Sequence, residues 1–122
     1  GWGAVINEAM NSGCAVVASH AMGAAVTMIE NGKNGWIYES GNADMLLRQV
    51  MELLQADETR AAMGISAYET ITRLWNAEVA AQRLCSLTQR ILAGEQYPVL
   101  YESGPCSPAK IISDDYPEKN GE

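Results

Sequence analysis

Only two short stretches of this 122-residue chain are suited to β-structure, and that scarcity constrains its fold more than any other feature. Ala15-Val16-Val17-Ala18 is an apolar run without alternation, the pattern of a parallel strand buried on both faces. Trp36-Ile37-Tyr38 is the second, set off by the Asn34-Gly35 turn. The segments around them read as helices. Residues 4–10 place Ala4, Val5, Ala9 and Met10 ahead of a stop at Gly13, and residues 24–30 end before Gly32. Beyond Tyr38 the spacing is purely helical. Asn42 is placed to cap a helix whose inward stripe is Ala43, Leu46, Leu47, Val50, Leu53 and Leu54, with Asp44, Arg48, Glu52 and Gln55 opposite. Asp57 can cap the next, with Ala61, Ile65, Tyr68, Ile71 and Trp75 facing the core. Asn76 can cap a third, running through Val79, Ala80, Leu84, Leu87 and Ile91 to Gly94. This order predicts an α/β layered domain: short parallel strands with packed helices, and a helix-rich C-terminal part. Two short strands make too small a parallel sheet to stand alone, so more of the sheet is expected upstream of Gly1.

All four prolines fall after residue 94, where the composition turns polar and charged. The chain therefore divides into residues 1–94 and an extended tail, 95–122. The tail is expected to dock through Tyr97, Val99, Leu100 and Tyr101 and to be partly disordered, fraying beyond about Ile112. Eight Lys and Arg against 15 Asp and Glu give a net charge of −7, which excludes a general nucleic-acid or membrane-surface binder built on clustered positive charge. No apolar stretch approaches the ~20 residues that span a bilayer. No basic leader with an apolar segment is visible either. Three cysteines without a C-x-x-C pair form neither a disulfide framework nor a zinc site. The expected compartment is the reducing cytoplasm.

Chemistry concentrates at the amino end. Gly1 and Gly3 let a backbone approach a ligand closely, and a helix starts directly after them. The free N–H groups and positive dipole end of such a helix attract phosphate. Glu8, about one and a half turns in, is placed to accept hydrogen bonds from the two hydroxyls of a ribose on that phosphate. Taken alone, a G-x-G before a helix is more often turn geometry than a ligand site. Other candidates are weaker. His20 follows the first strand, at the end where α/β sheets bind ligands, yet a lone His is more often solvated or locally hydrogen-bonded. Asp114-Asp115 lacks a scaffold for a metal, and Cys14 (beside the strand), Cys85 and Cys106 lack basic partners. Tyr68 and Trp75 fit packing of helices on a core.

The wording of the first 35 residues is more specific than the G-x-G. Gly-Trp-Gly-Ala-Val-Ile-Asn-Glu-Ala-Met-Asn-Ser-Gly-Cys-Ala-Val-Val-Ala-Ser, followed by Ile29-Glu30-Asn31-Gly32-Lys33-Asn34-Gly35, closely resembles the donor-binding half of GT-B glycosyltransferases. It is most similar to the retaining, metal-independent enzymes of family 4, the group 1 glycosyl transferases. The resemblance runs from residue 1 to about residue 92. It implies that residues 1–94 are the C-terminal half of a Rossmann-like GT-B domain that binds a nucleoside-diphosphate sugar as substrate, with no metal or other cofactor. It implies hexosyl transfer with retention to an unspecified glycan, lipid or small molecule, and membrane association of the full-length protein is left open. By resemblance Glu8 would hold the ribose diol. Gly1, Trp2 and Gly3 would meet the transferred sugar through main-chain amides, while Ala4 and Val5 would supply backbone donors to the diphosphate. The first of the family's two acidic residues would fall just before Gly1. The basic residues that neutralise the diphosphate and the acceptor-binding amino-terminal domain would also lie upstream. No residue here is assigned as a catalytic acid, base or nucleophile, and the chain by itself is expected to be inactive.

Two alternatives stand beside this reading. One is a non-catalytic α/β interaction module that binds a partner through its exposed sheet edge or its tail, the bare edge also favouring self-association. The other is a different GT-B enzyme, such as a sugar-nucleotide epimerase.

Overall fold

A computed structural model describes residues 1–109 of the chain. The first helix, α1 (Ala4–Asn11), begins at Gly3, whose φ of 85° is a left-handed conformation that glycine adopts without strain. It ends at Ser12 and Gly13, the latter at φ 72°. Strand β1 (Val17–Ser19) follows, then the six-residue helix α2 (Gly23–Met28) and strand β2 (Trp36–Tyr38). The two strands pair in parallel, Val17 opposite Trp36, Ala18 opposite Ile37 and Ser19 opposite Tyr38. Helices α3 (Ala43–Gln55), α4 (Asp57–Arg73) and α5 (Ala77–Leu92) complete the order. Asn42 and Asn76 cap α3 and α5 as expected, accepting from the amides of Met45 and Val79. The result is a mixed α/β fold, compatible with a piece of a Rossmann-like glycosyltransferase domain.

One apolar cluster holds these elements together. Ile6 and Met10 of α1, Ala24, Ala25 and Met28 of α2, and Ala67 and Ile71 of α4 meet around Ala18 and Ile29. Val16, Met22, Ile37 and Trp75 close its edges. A polar residue joins this core. Asn34 is 1% exposed, and its side chain accepts from the Glu30 amide (2.7 Å) while donating to the Met28 carbonyl (3.1 Å) and the Thr70 hydroxyl (2.9 Å). It fastens the α2–β2 connection to α4.

Several packing expectations are corrected. The first strand starts later than Ala15, and among its residues only Ala18 is buried, so it is covered less completely than its apolar composition suggests. The inward face of α4 is Met63, Gly64, Ala67 and Ile71, whereas Ile65 and Tyr68 are 63% and 48% exposed. Close approach decides this face. A Cβ at Gly64 would collide with the Gly13 carbonyl, so only glycine lets α4 lie this near the end of α1. On α3 the buried residues are Gln49 and Leu53, while Leu47 and Leu54 face outward. Gln49 reaches the sheet by donating to the Ile37 carbonyl at 3.2 Å. Asp57 is the first residue of α4 and not its cap, which is Ala56. Cys14 is exposed and does not pack beside the strand.

Helix α5 buries none of its apolar residues among the described part of the chain. Of the residues expected to dock the tail, Tyr101 makes the contact with α5. Tyr97 and Val99 are exposed, and the attachment is made by Arg83, whose guanidinium lies 4.2 Å from the Tyr101 ring centroid and donates to the carbonyls of Ser103 and Pro105. Gly104, at φ 84°, is wedged against Leu74 and Arg83. At the end of α5, hydrogen bonding and charge from Glu95 raise the Arg90 guanidinium above its already high ordinary value. The expected fraying beyond Ile112 and the Asp114-Asp115 pair lie outside the described residues. No helix among the described residues is long and apolar enough to cross a membrane.

Candidate functional site

The glycine loop is held from behind by α2. Gly23 and Ala24 donate their amides to the carbonyls of Gly1 (3.1 Å) and Trp2 (2.8 Å). The first free donors of α2 are therefore consumed in fixing the approach to α1. Gly3 then turns the chain into α1 with its Cα against Met22, where a Cβ would overlap the Met22 methyl. Position 3 thus needs glycine for its dihedral angle, while the Met22 methyl, at the far end of a flexible side chain, could turn aside from a Cβ.

The end of α1 that results is open. The Ile6 amide bonds the Gly3 carbonyl at 3.0 Å, whereas the amides of Ala4 and Val5 have no protein acceptor among the described residues. The cap residue offers no side chain, and the first turn carries no acidic residue that would compete with an anion. Ala4, Val5 and Glu8 are exposed, on the side of α1 away from the buried Ile6 and Met10. Glu8 follows Ala4 by four residues, which on a helix places it on the same face about 6 Å further along the axis. Helical side chains lean toward the amino end, so the Glu8 carboxylate inclines back toward the open amides. It makes no hydrogen bond or ion pair among the described residues. Residues 1–32 contain no Lys or Arg, so positive potential at this end comes from the backbone.

Trp2 is the exception within the loop. It is half exposed and lines a cavity of about 580 Å³ between α2, Trp75 and the tail. His20 is 4% exposed at the carboxyl end of β1. Its Nδ1 accepts the Ser40 amide at 2.9 Å, and its own amide donates to the Tyr38 carbonyl at 3.0 Å. Those bonds join the ends of both strands to the turn before α3, a structural task of the local kind expected for a single His. Among the described residues no three His, Cys, Asp or Glu side chains converge as a cation site.

Sequence reasoning missed Met22, which supports the glycine loop, and the buried role of Asn34, read there only as a turn residue. Neither gave a usable signal. A methionine before a short helix and an Asn-Gly turn are both common, and their importance comes from contacts between distant segments.

A family model described as "Glycosyl transferases group 1" matches residues 1–70. Comparisons with curated proteins and with solved structures gave no match. The matched stretch contains the glycine loop, the open end of α1, Glu8 and both strands, and stops short of the extent to about residue 92 expected on the resemblance. It spans more than half of the chain. The chain thus belongs to the group 1 family of glycosyl transferases.

Proposed function

We propose that this chain supplies the donor site of a GT-B, family 4 type glycosyltransferase that moves a hexosyl group from a nucleoside-diphosphate sugar to an acceptor with retention. The Ala4 and Val5 amides hold the diphosphate, Glu8 the ribose hydroxyls, and the main chain of Gly1, Trp2 and Gly3 the sugar. The single observation behind this reading is the uncapped amino end of α1 with Glu8 exposed on the same face. Charge builds up on the departing diphosphate during transfer, and fixed backbone dipoles stabilise it without reorganising. No bound metal is needed for that task. Cations that neutralise the rest of the diphosphate lie upstream, and the acceptor site belongs to an amino-terminal domain, so the 122-residue chain alone does not turn over. The family match favours neither an interaction module nor an epimerase.

Replacing Glu8 by Ala in the full-length enzyme is expected to lower kcat/KM for the donor by about tenfold or more, the scale of a charge-assisted hydrogen bond of ~1.5–3 kcal/mol. Steady-state kinetics unchanged by Glu8→Ala would remove Glu8 from the donor site. The 122-residue chain alone is further expected to self-associate. Among the described residues β1 is paired on one edge only, beside a shallow apolar groove formed by Val5, Val17, Met22 and Tyr38. Sedimentation velocity should show a concentration-dependent shift above the monomer, and a monomer at all concentrations would exclude it.

A further inference from the structure

We propose that Asn34 is a site of spontaneous deamidation, closed while the α2–β2 connection is folded and reactive once it opens. The inference rests on packing and is independent of the donor assignment. Asparagine followed by glycine is the dipeptide most prone to this reaction, because a residue without Cβ lets its backbone nitrogen reach the preceding side chain. The Gly35 nitrogen, its proton lost to solvent, bonds to Asn34 Cγ. The Cγ–Nδ2 bond breaks, and the amine takes up a proton and leaves as ammonia. Water then opens the cyclic imide at either carbonyl, which gives aspartate or isoaspartate at position 34. Water is the only co-reactant.

The fold requires this labile pair and also shields it. Position 34 needs an amide, since Oδ1 accepts from the Glu30 main chain while Nδ2 donates to the Met28 carbonyl and the Thr70 hydroxyl. Position 35 needs glycine, because a Cβ there would sit 3.1 Å from the Val16 carbonyl and 3.2 Å from the Ile29 side chain. Both residues are buried. With its oxygen and both amide hydrogens engaged, the Asn34 side chain cannot swing Cγ onto the Gly35 nitrogen without breaking bonds that nothing nearby replaces. Asn31-Gly32 is the same dipeptide in the opposite setting. Asn31 is exposed, and among the described residues its side chain only accepts, from the Ile37 amide at 2.7 Å. A carboxylate at position 31 keeps that role. At position 34 the product loses both donors and puts a charge where the side chain is 1% exposed, so the opened connection cannot close again as before. Deamidation there turns a passing opening into a permanent one.

The test is peptide mass mapping of the full chain, aged in mildly alkaline buffer either folded or in urea. Trypsin separates the two pairs, because cleavage after Lys33 leaves Asn31 and Asn34 in different peptides. In urea both should gain one mass unit at similar rates. In the folded chain Asn34 should react about tenfold or more slowly than in urea, and more slowly than Asn31. Thr70→Val removes one of the three Asn34 bonds. It should speed the folded-state reaction at Asn34 about 5–30-fold, the change in open population that ~1–2 kcal/mol represents. Asn34→Asp, which reproduces the product, should lower the urea midpoint, whereas Asn31→Asp should leave it near that of wild type. Equal rates at Asn34 in folded and urea-treated chains overturn the proposal. So does an unchanged rate in folded Thr70→Val, or an Asn34→Asp midpoint equal to that of wild type. The wild-type comparison decides the matter even if neither variant folds.

Discussion

Asn34→Ala is expected to destabilise the fold by about 3–4 kcal/mol, a large share of the 5–15 kcal/mol typical of a domain. The side chain is 1% exposed and satisfies the Glu30 amide, the Met28 carbonyl and the Thr70 hydroxyl. Each bond contributes about 1 kcal/mol net, but truncation also strands partners away from water, at ~1–3 kcal/mol for each one left unsatisfied. Thr70→Val separates the two effects. It removes the Asn34–Thr70 bond and the Thr70–Ser66 bond while keeping both of Asn34's main-chain partners, so its expected cost is about 1–2 kcal/mol. Urea unfolding of the full chain measures both. An Asn34→Ala unfolding free energy within about 1 kcal/mol of wild type would show that the α2–β2 connection is held by other means.

The second large effect has a sign opposite to helix propensity. Gly64 lies inside α4, where Gly→Ala ordinarily stabilises by about 1 kcal/mol. Here the new methyl would meet the carbonyl of Gly13, a backbone atom that no rotamer change can move aside. Forcing α1 and α4 apart also opens the contact of Ile6 and Met10 with Ala67 and Ile71. Overpacking of this kind costs ~1–3 kcal/mol and occasionally more, so Gly64→Ala is expected to be destabilising by about 2–3 kcal/mol net. Ala62→Gly, on the exposed side of the same helix, supplies the control: it should cost about 1 kcal/mol, the ordinary propensity effect. A Gly64→Ala midpoint at or above that of wild type would mean that the two backbones are not in contact.

Local signals in the sequence led to correct elements. The glycine after α1, the Asn-Gly turn and the asparagine caps act within a few residues of themselves and sit at element boundaries as read, whereas α2 ends at Met28, short of the stop read at Gly32. Faces were harder to read. Ranking α4 by large apolar residues selects Ile65 and Tyr68, but a helix can bury its backbone instead, and then glycine and alanine mark the inner side. The same applies to α3, where Gln49 is buried because one amide reaches the sheet while larger Leu47 and Leu54 remain outside. At the candidate site, the loop and the helix start were legible because glycine and an abrupt helix leave a mark in the sequence. The support beneath them was not, since Met22, Gly23 and Ala24 act through contacts across about 20 residues of chain. The latch of Arg83 on the tail was equally hidden: one arginine on a surface helix carries no sign of its partners.

Main chain touching main chain at Gly13 and Gly64 has a mechanical consequence. A seam made of side chains can slide when a methylene is lost or gained, because rotamers readjust and the helix rolls with them. Carbonyl against Cα has no such slack, so the roll of the first helix is indexed by the polypeptide itself. The bearing of its tip, and of the acid one turn behind, is thereby decoupled from small changes of volume in the oily cluster beneath.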